Sequence, residues 1–257
     1  MKMLKTKGAI YLISVLLVTI LGISIIHHSD LPRNYYRYTV AIPGVVALLF
    51  LFSARLSDIS ISEFFQQFLI PVKSIKWLIL SSITYSLLAY WASGTAALVF
   101  GGNFVLIPNF QIPLSRVYII FVLAFFEEIG WRGFGLPHLM KKHGFILSSL
   151  VVGVIWALWH LPGYLVNFGA PNDIPFIVFS IWVVAASFIF TWLYVKSSNN
   201  IWTAILLHFG ANMALQLYPI MPVPAGTSAT FYIMTISVLL VAIALFKKYS
   251  KKQVEIK

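Results

Sequence analysis

The chain has 257 residues, 60% of them hydrophobic and 10% charged, and its mean hydropathy of +0.90 lies outside the range of soluble globular domains and places it in a bilayer. At roughly 20 apolar residues per membrane-spanning helix, this length holds about eight spans and leaves nothing for a separate soluble domain. The absence of cysteine excludes a disulfide scaffold, a thiol nucleophile, a thiolate metal site and thiol lipidation. The +11 net charge sits in short stretches between apolar runs, where membrane orientation explains it and nucleic-acid binding does not.

The first run, Ala9 to Ile26, follows Lys2, Lys5 and Lys7 and leads into His27-His28-Ser29-Asp30 without a small-residue cleavage site, so it reads as an uncleaved span. Further apolar runs lie near 39–54, 75–100, 114–131, 147–168, 175–195, 201–217 and 229–246, with Pro, Gly, Asn and charged connectors between them. With a cytosolic N-terminus, the outer connectors hold only Arg33, Arg37 and Arg116. The other fifteen of the 18 basic residues then lie inside, among them Arg55, Lys73, Lys76, Arg132, Lys141, Lys142, Lys196 and the lysines from Lys247 onward. That asymmetry predicts an all-α, polytopic bundle of about eight spans with both termini in the cytosol, a single membrane domain over 1–257 in the cell membrane. Aromatic clusters at run ends, such as Tyr35-Tyr36-Arg37-Tyr38, suit interfacial belts.

Of the seven acidic residues, Asp30, Asp58, Glu63, Asp173 and Glu255 fall in connectors or the tail, which leaves Glu127 and Glu128 inside an apolar run. Ionisable groups in a span cost on the order of 2.5–3.5 kcal/mol each on insertion scales, so a retained pair points to a functional site. Glu128 and Arg132 are four apart and share a helical face, while Glu127 points about 100° away. One carboxylate is thereby paired and the other stays available as a general base. Trp156 and His160 in the fifth run, and His208 and Asn212 in the seventh, are also four apart, so polar groups from three spans can converge. In the assigned orientation these groups fall between mid-bilayer and the cytosolic side. His138 and His143, in the basic connector after Arg132, and His27 and His28, at the end of the first span, read as solvated interface residues.

The string Phe126-Glu127-Glu128-Ile129-Gly130-Trp131-Arg132, then Trp156-x-x-x-His160, then His208-x-x-x-Asn212, resembles the CAAX protease and bacteriocin-processing (CPBP, or Abi) family, and its bacterial branch in particular. The motif-bearing part covers about 114–217. The resemblance implies an intramembrane endopeptidase in which Glu127 and His160 activate water, His208 and Asn212 stabilise the oxyanion, and Glu128 and Arg132 brace the site. Trp156 stands where Phe is the commoner aromatic. Chemistry alone leaves a metal open, since Glu127, His160 and His208 also make a hydrolytic zinc set. The family resemblance favours direct activation of water with no cofactor.

Other intramembrane protease classes fit poorly: no Asp lies within a span, H-E-x-x-H and G-x-S-x-G are missing, and Ser93 reads as a helix-packing serine. A transporter reading lacks a matching partner for Pro162. The alternative to an enzyme is a non-catalytic membrane scaffold, or a bacteriocin-immunity protein built on the same fold. The expected substrates are small hydrophobic or membrane-anchored peptides met within the lipid bilayer. Sequence is silent on oligomeric state.

Overall fold

The computed structural model describes residues 6–53, 55–108, 110–168 and 172–254, and among these it is a helical bundle without strands. Helix α1 (Lys7–His27) starts on a Thr6 cap whose Oγ accepts the Ala9 N–H. A short α2 (Tyr36–Thr39) and α3 (Ile42–Leu51) bring the chain back, and α4 (Ile61–Gln66) opens with a Ser60/Glu63 capping box. Then come α5 (Ile75–Phe100), α6 (Leu114–Glu128), a π-helical segment (Ile129–Gly135), α7 (Leu136–Leu165), α8 (Phe176–Lys196), α9 (Ile201–Leu217), α10 (Pro222–Ala225) and α11 (Ala229–Val254).

Five stretches are long and apolar enough to cross a membrane, and one of them, Leu114–Leu165, runs for 52 residues. It is two legs. At Gly144 the backbone takes φ 67° and ψ −174°, a left-handed value that glycine adopts without penalty, and the chain folds back. Trp156 therefore hydrogen-bonds Glu127, 29 residues earlier, which a straight helix would hold about 43 Å away. Counting those legs separately and adding the shorter apolar helices Tyr36–Leu51 and Ile201–Leu217 makes eight, the number expected from length.

The polarity is that of a membrane protein. Leu17, Leu21, Leu49, Leu87, Leu98 and Ile177 are exposed, whereas Glu127, Glu128 and Arg132 are buried. α7 packs on α8 and α1, α9 on α5 and α6, α11 on α8 and α5, and α3 on the π segment. That last contact requires glycine, because a Cβ on Gly130 would lie 2.5 Å from the Pro43 carbonyl carbon.

The two ends of the bundle differ in charge. At one, Lys7 pairs with Asp58 at 2.8 Å, the Lys141 ammonium donates to the Asp58 carbonyl at 2.9 Å, and Tyr249 stacks on Phe145. Lys73, Lys76, Lys142, Lys196, Lys247 and Lys248 belong to the helix ends there. At the opposite end Tyr36 packs on Phe168 and the Asn103 side chain donates to the Pro224 carbonyl. Among the described side chains its basic ones are Arg37 and Arg116.

Candidate active site

α6 ends on Glu127 and Glu128, and the π segment sets Trp131 and Arg132 about one turn beyond them. Such bulges recur at functional sites because they re-aim side chains within an otherwise regular helix. Arg132 Nη1 donates to both Glu128 oxygens, at 3.0 and 3.1 Å, and Nη2 reaches Ser187 Oγ at 3.4 Å. Its guanidinium lies between the rings of Trp156 and Phe190, 4.5 and 4.3 Å from their centroids. Both charges are fully buried, a placement that only mutual pairing and hydrogen bonding make tolerable. Glu128 Oε1 also accepts from His208 Nδ1 at 2.8 Å.

Glu127 turns the other way. Its Oε2 accepts from the indoles of Trp156 at 3.0 Å and Trp131 at 3.4 Å, while Oε1 faces His208 Nε2 at 3.8 Å. His160 Nδ1 is 2.8 Å from the Trp156 carbonyl. A carbonyl only accepts, so Nδ1 carries a proton, and in the neutral ring the Nε2 lone pair is then free. The imidazole is held between Trp159 and Phe179, each 4.9 Å away between ring centroids. Asn212 follows His208 by one turn of α9.

His160, His208 and Asn212 line two cavities at once. One, of about 200 Å³, also reaches Glu127, Thr19, Tyr36, Thr39 and Phe168. The other, of about 540 Å³, is lined by aromatic groups including Tyr85, Trp156, Trp182 and Phe231, together with Arg116 and Gln216. A carboxylate, a neutral imidazole with a free nitrogen, a second imidazole and an amide thus meet beside an apolar chamber.

Residues 109–214 match the family described as type II CAAX prenyl endopeptidase Rce1-like, a stretch that contains the whole polar centre. The chain is also 28% identical over 201 residues to CAAX prenyl protease 2 of Methanococcus maripaludis, covering 70% of this chain and 73% of that protein. Both matches support the CAAX protease and bacteriocin-processing family and, with it, a CAAX-type intramembrane protease.

All seven residues singled out in the CAAX protease motifs lie around this centre. Glu127, Glu128, Arg132, Trp156, His160 and His208 are linked by hydrogen bonds or ring contacts, and Asn212 shares both cavity walls. Ser93 is buried and donates to the Tyr90 carbonyl of its own helix, as a packing serine does. Two groups escaped the sequence reading. Trp131 stands four residues after Glu127, the same spacing that marks Glu128 and Arg132, but an indole in an apolar run carries no polar signal. Ser187 sits in an unbroken apolar run and meets Arg132 only through the packing of α8 on α7.

Three expectations change. Arg132 is not a connector residue, since the helix continues past it to Gly144 and the Glu128 carboxylate neutralises it in the interior. His138 is buried instead of solvated: Nδ1 donates to the Phe134 carbonyl and Nε2 accepts the Asp58 N–H, so it ties the 58–60 segment to α7. Depth changes too. His160 is 15 residues beyond Phe145, about 22 Å from the lysine end, and five residues, about 8 Å, from Leu165. The neighbouring Trp159 donates to Thr19, itself 12 residues from Lys7 and eight from His27. His208, by contrast, is seven residues from Ile201 and nine from Leu217, so it stays on the lysine side of the middle of α9, and only the His160 leg is lengthened on that side by residues read as a connector.

Glu127, His160 and His208, the set considered for zinc, do not converge into a three-donor site, and no such group occurs among the described residues. Glu127 Oε2 and both imidazole Nδ1 atoms are taken up by protein partners.

Proposed function

We propose that this CAAX-type protease cleaves small hydrophobic or membrane-anchored peptides with water activated by Glu127 and His160. Glu127 Oε1 takes a proton from the water while His160 Nε2 accepts its second hydrogen bond, and the oxygen attacks the scissile carbonyl. His208, as an imidazolium that already donates through Nδ1 to Glu128, donates through Nε2 to the oxyanion that forms, as does the Asn212 amide. Glu127 then passes its proton to the departing amine, so the peptide bond breaks with no net change in the enzyme. Glu128, Arg132 and Trp156 hold these groups in place, Glu128 by fixing His208 through Nδ1 and Trp156 by fixing both Glu127 and His160.

The observation that carries this reading is the division of labour between adjacent carboxylates: Glu128 is saturated by Arg132 and His208, and Glu127 keeps one oxygen for the cavity. The aromatic chamber suits an apolar substrate portion. In the cell membrane the substrates of choice are bacteriocin precursors, signalling pro-peptides or signal-peptide remnants, and self-immunity is the biological setting if a bacteriocin is the peptide.

Membrane peptidomes of wild type and Glu127→Gln, compared at equal protein level, test the reading. A precursor accumulates in the variant if the chain cleaves it, with the rate falling about 10²–10⁴-fold. An unchanged peptidome and phenotype overturn the peptidase in favour of a scaffold. The mechanism needs no metal: purified active protein is expected to contain no stoichiometric zinc by elemental analysis, and stoichiometric zinc whose removal abolishes cleavage overturns that point.

A further inference from the structure

We infer that Gln67 is a positioning residue for the hydrolysis: its side chain and its carbonyl clamp the π segment to the start of α9 and so hold Glu127 and Glu128 in register with His208. The inference rests on the peptidase reading above for the reaction it serves, and on separate observations for the clamp. Gln67 follows α4, precedes the matched stretch 109–214 and is buried. Its Nε2 donates to the Gly133 carbonyl at 3.0 Å, and its Oε1 accepts from the Tyr194 hydroxyl at 2.7 Å. A carbonyl only accepts, which fixes the amide this way round with Tyr194 as donor. The backbone carbonyl of Gln67 accepts the Ile201 N–H at 2.9 Å, one of the N–H groups that the first turn of a helix leaves without a partner of its own. The next two carbonyls continue the seam, Phe68 accepting from the Trp202 indole and Leu69 from the Asn200 amide.

These bonds hold the register of the catalytic groups. A π segment is a rare departure from α geometry, and a donor from another element at Gly133 holds it against relaxing to the commoner form. Relaxation would swing Trp131 and Arg132 away from Glu127 and Glu128, to which they donate. On the other side of the clamp, His208 is seven residues, about 10 Å, from Ile201. The Glu128–His208 bond of 2.8 Å joins the two elements directly, and Gln67 joins them a second time through Gly133 and Ile201. Without the clamp α9 is free to slide against the π segment, which moves His208 Nε2 and the Asn212 amide relative to Glu127. Gln67 lines neither of the cavities that meet at His160, so the effect falls on the chemical step and leaves peptide binding alone.

Gln67→Met keeps the length of the side chain and removes both of its hydrogen bonds, while Tyr194→Phe removes only the hydroxyl that orients the amide. On a defined hydrophobic peptide, kcat of Gln67→Met is expected to fall about 10²-fold with KM nearly unchanged, the effect of displacing catalytic groups by about 1 Å. Ser60→Ala, which removes the Oγ capping α4 and leaves Gln67 untouched, controls for a merely loosened segment and is expected to keep wild-type kcat. Tyr194→Phe is expected to lower kcat in the wild-type background and to add nothing in Gln67→Met. Protein isotope-labelled at the histidine nitrogens supplies a readout independent of turnover. Its His208 resonances, assigned through His208→Gln, are expected to move in Gln67→Met and to stay in place in Ser60→Ala. Wild-type kcat in Gln67→Met, equal losses in Gln67→Met and Ser60→Ala, a change confined to KM, or unmoved His208 resonances overturns the inference. If Gln67→Met does not fold, the kcat and His208 resonances of Tyr194→Phe decide in the same way. Resonances that move as expected in a protein whose wild type cuts no peptide leave the clamp standing and count against the peptidase reading alone.

Discussion

At the residue scale, the centre depends on groups that are costly to bury singly and tolerable only together. Arg132 and Glu128 are both fully buried, so Arg132→Ala strands a carboxylate in the interior. The expected loss is about 3–5 kcal/mol, read as a lower thermal inactivation temperature in detergent. Arg132→Lys is expected not to restore it, because an ammonium cannot bond Glu128 and Ser187 through separate nitrogens or stack as a plane between Trp156 and Phe190. His208 and Asn212 act later in the reaction. Asn212→Ala is expected to lower kcat about 10²–10³-fold with KM nearly unchanged, since an oxyanion donor binds only what forms in the transition state; a change confined to KM on a defined peptide would remove Asn212 from that role. These pairs were legible in the sequence because a charge in an apolar run is an anomaly, and spacing of four names its partner. Trp131 and Ser187 were not, since nothing in their sequence neighbourhood distinguishes them from ordinary apolar packing.

The elements show where pattern reading stops. Residues 132–146 carry Arg132, Lys141, Lys142, three glycines and Pro137, which together read as a connector. They are helix up to Gly144. Of these glycines Gly135 serves close packing, since a Cβ there would lie 3.0 Å from the Tyr11 ring, and outside the stretch Gly130 and Gly44 let α3 and the end of α6 approach nearly backbone to backbone. Gly130→Ala is expected to push these elements apart and destabilise the fold by about 1–3 kcal/mol. Cleavage should fall with it, because Glu127 and Glu128 immediately precede that segment. Denaturation midpoints and rates measured on one preparation check both; a variant as stable and active as wild type would show that the π segment yields more easily than its contacts indicate.

At the scale of the whole molecule, the lysine end is tied by modest surface interactions. The Lys7 ammonium, which hydrogen-bonds Asp58, holds its carboxyl below the usual carboxylate range. Because the folded-state value is the lower one, this pairing stabilises the protein above the unfolded value, near pH 4, and is lost as pH falls through the folded value. The stability difference between wild type and Asp58→Asn is therefore expected to be small at neutral pH and to vanish at lower pH, checked by thermal inactivation across the acid range. A difference that grows on acidification would contradict the sign.

The sequence by itself determined the membrane environment, the all-helical fold, about eight legs and the identity of the polar residues. Each of these follows from local quantities: mean hydropathy, run length and spacing on a single helix. Tertiary structure decided the rest. The reversal at Gly144 joins Glu127 to Trp156 and His160, the packing of α8 and α9 supplies Ser187 and His208, and the end-to-end position of the centre depends on how far each helix runs past its apolar stretch. Depth in the bundle is a sum over helix lengths and glycine contacts, and a helix that continues through charged residues leaves no local mark until its partners are in place.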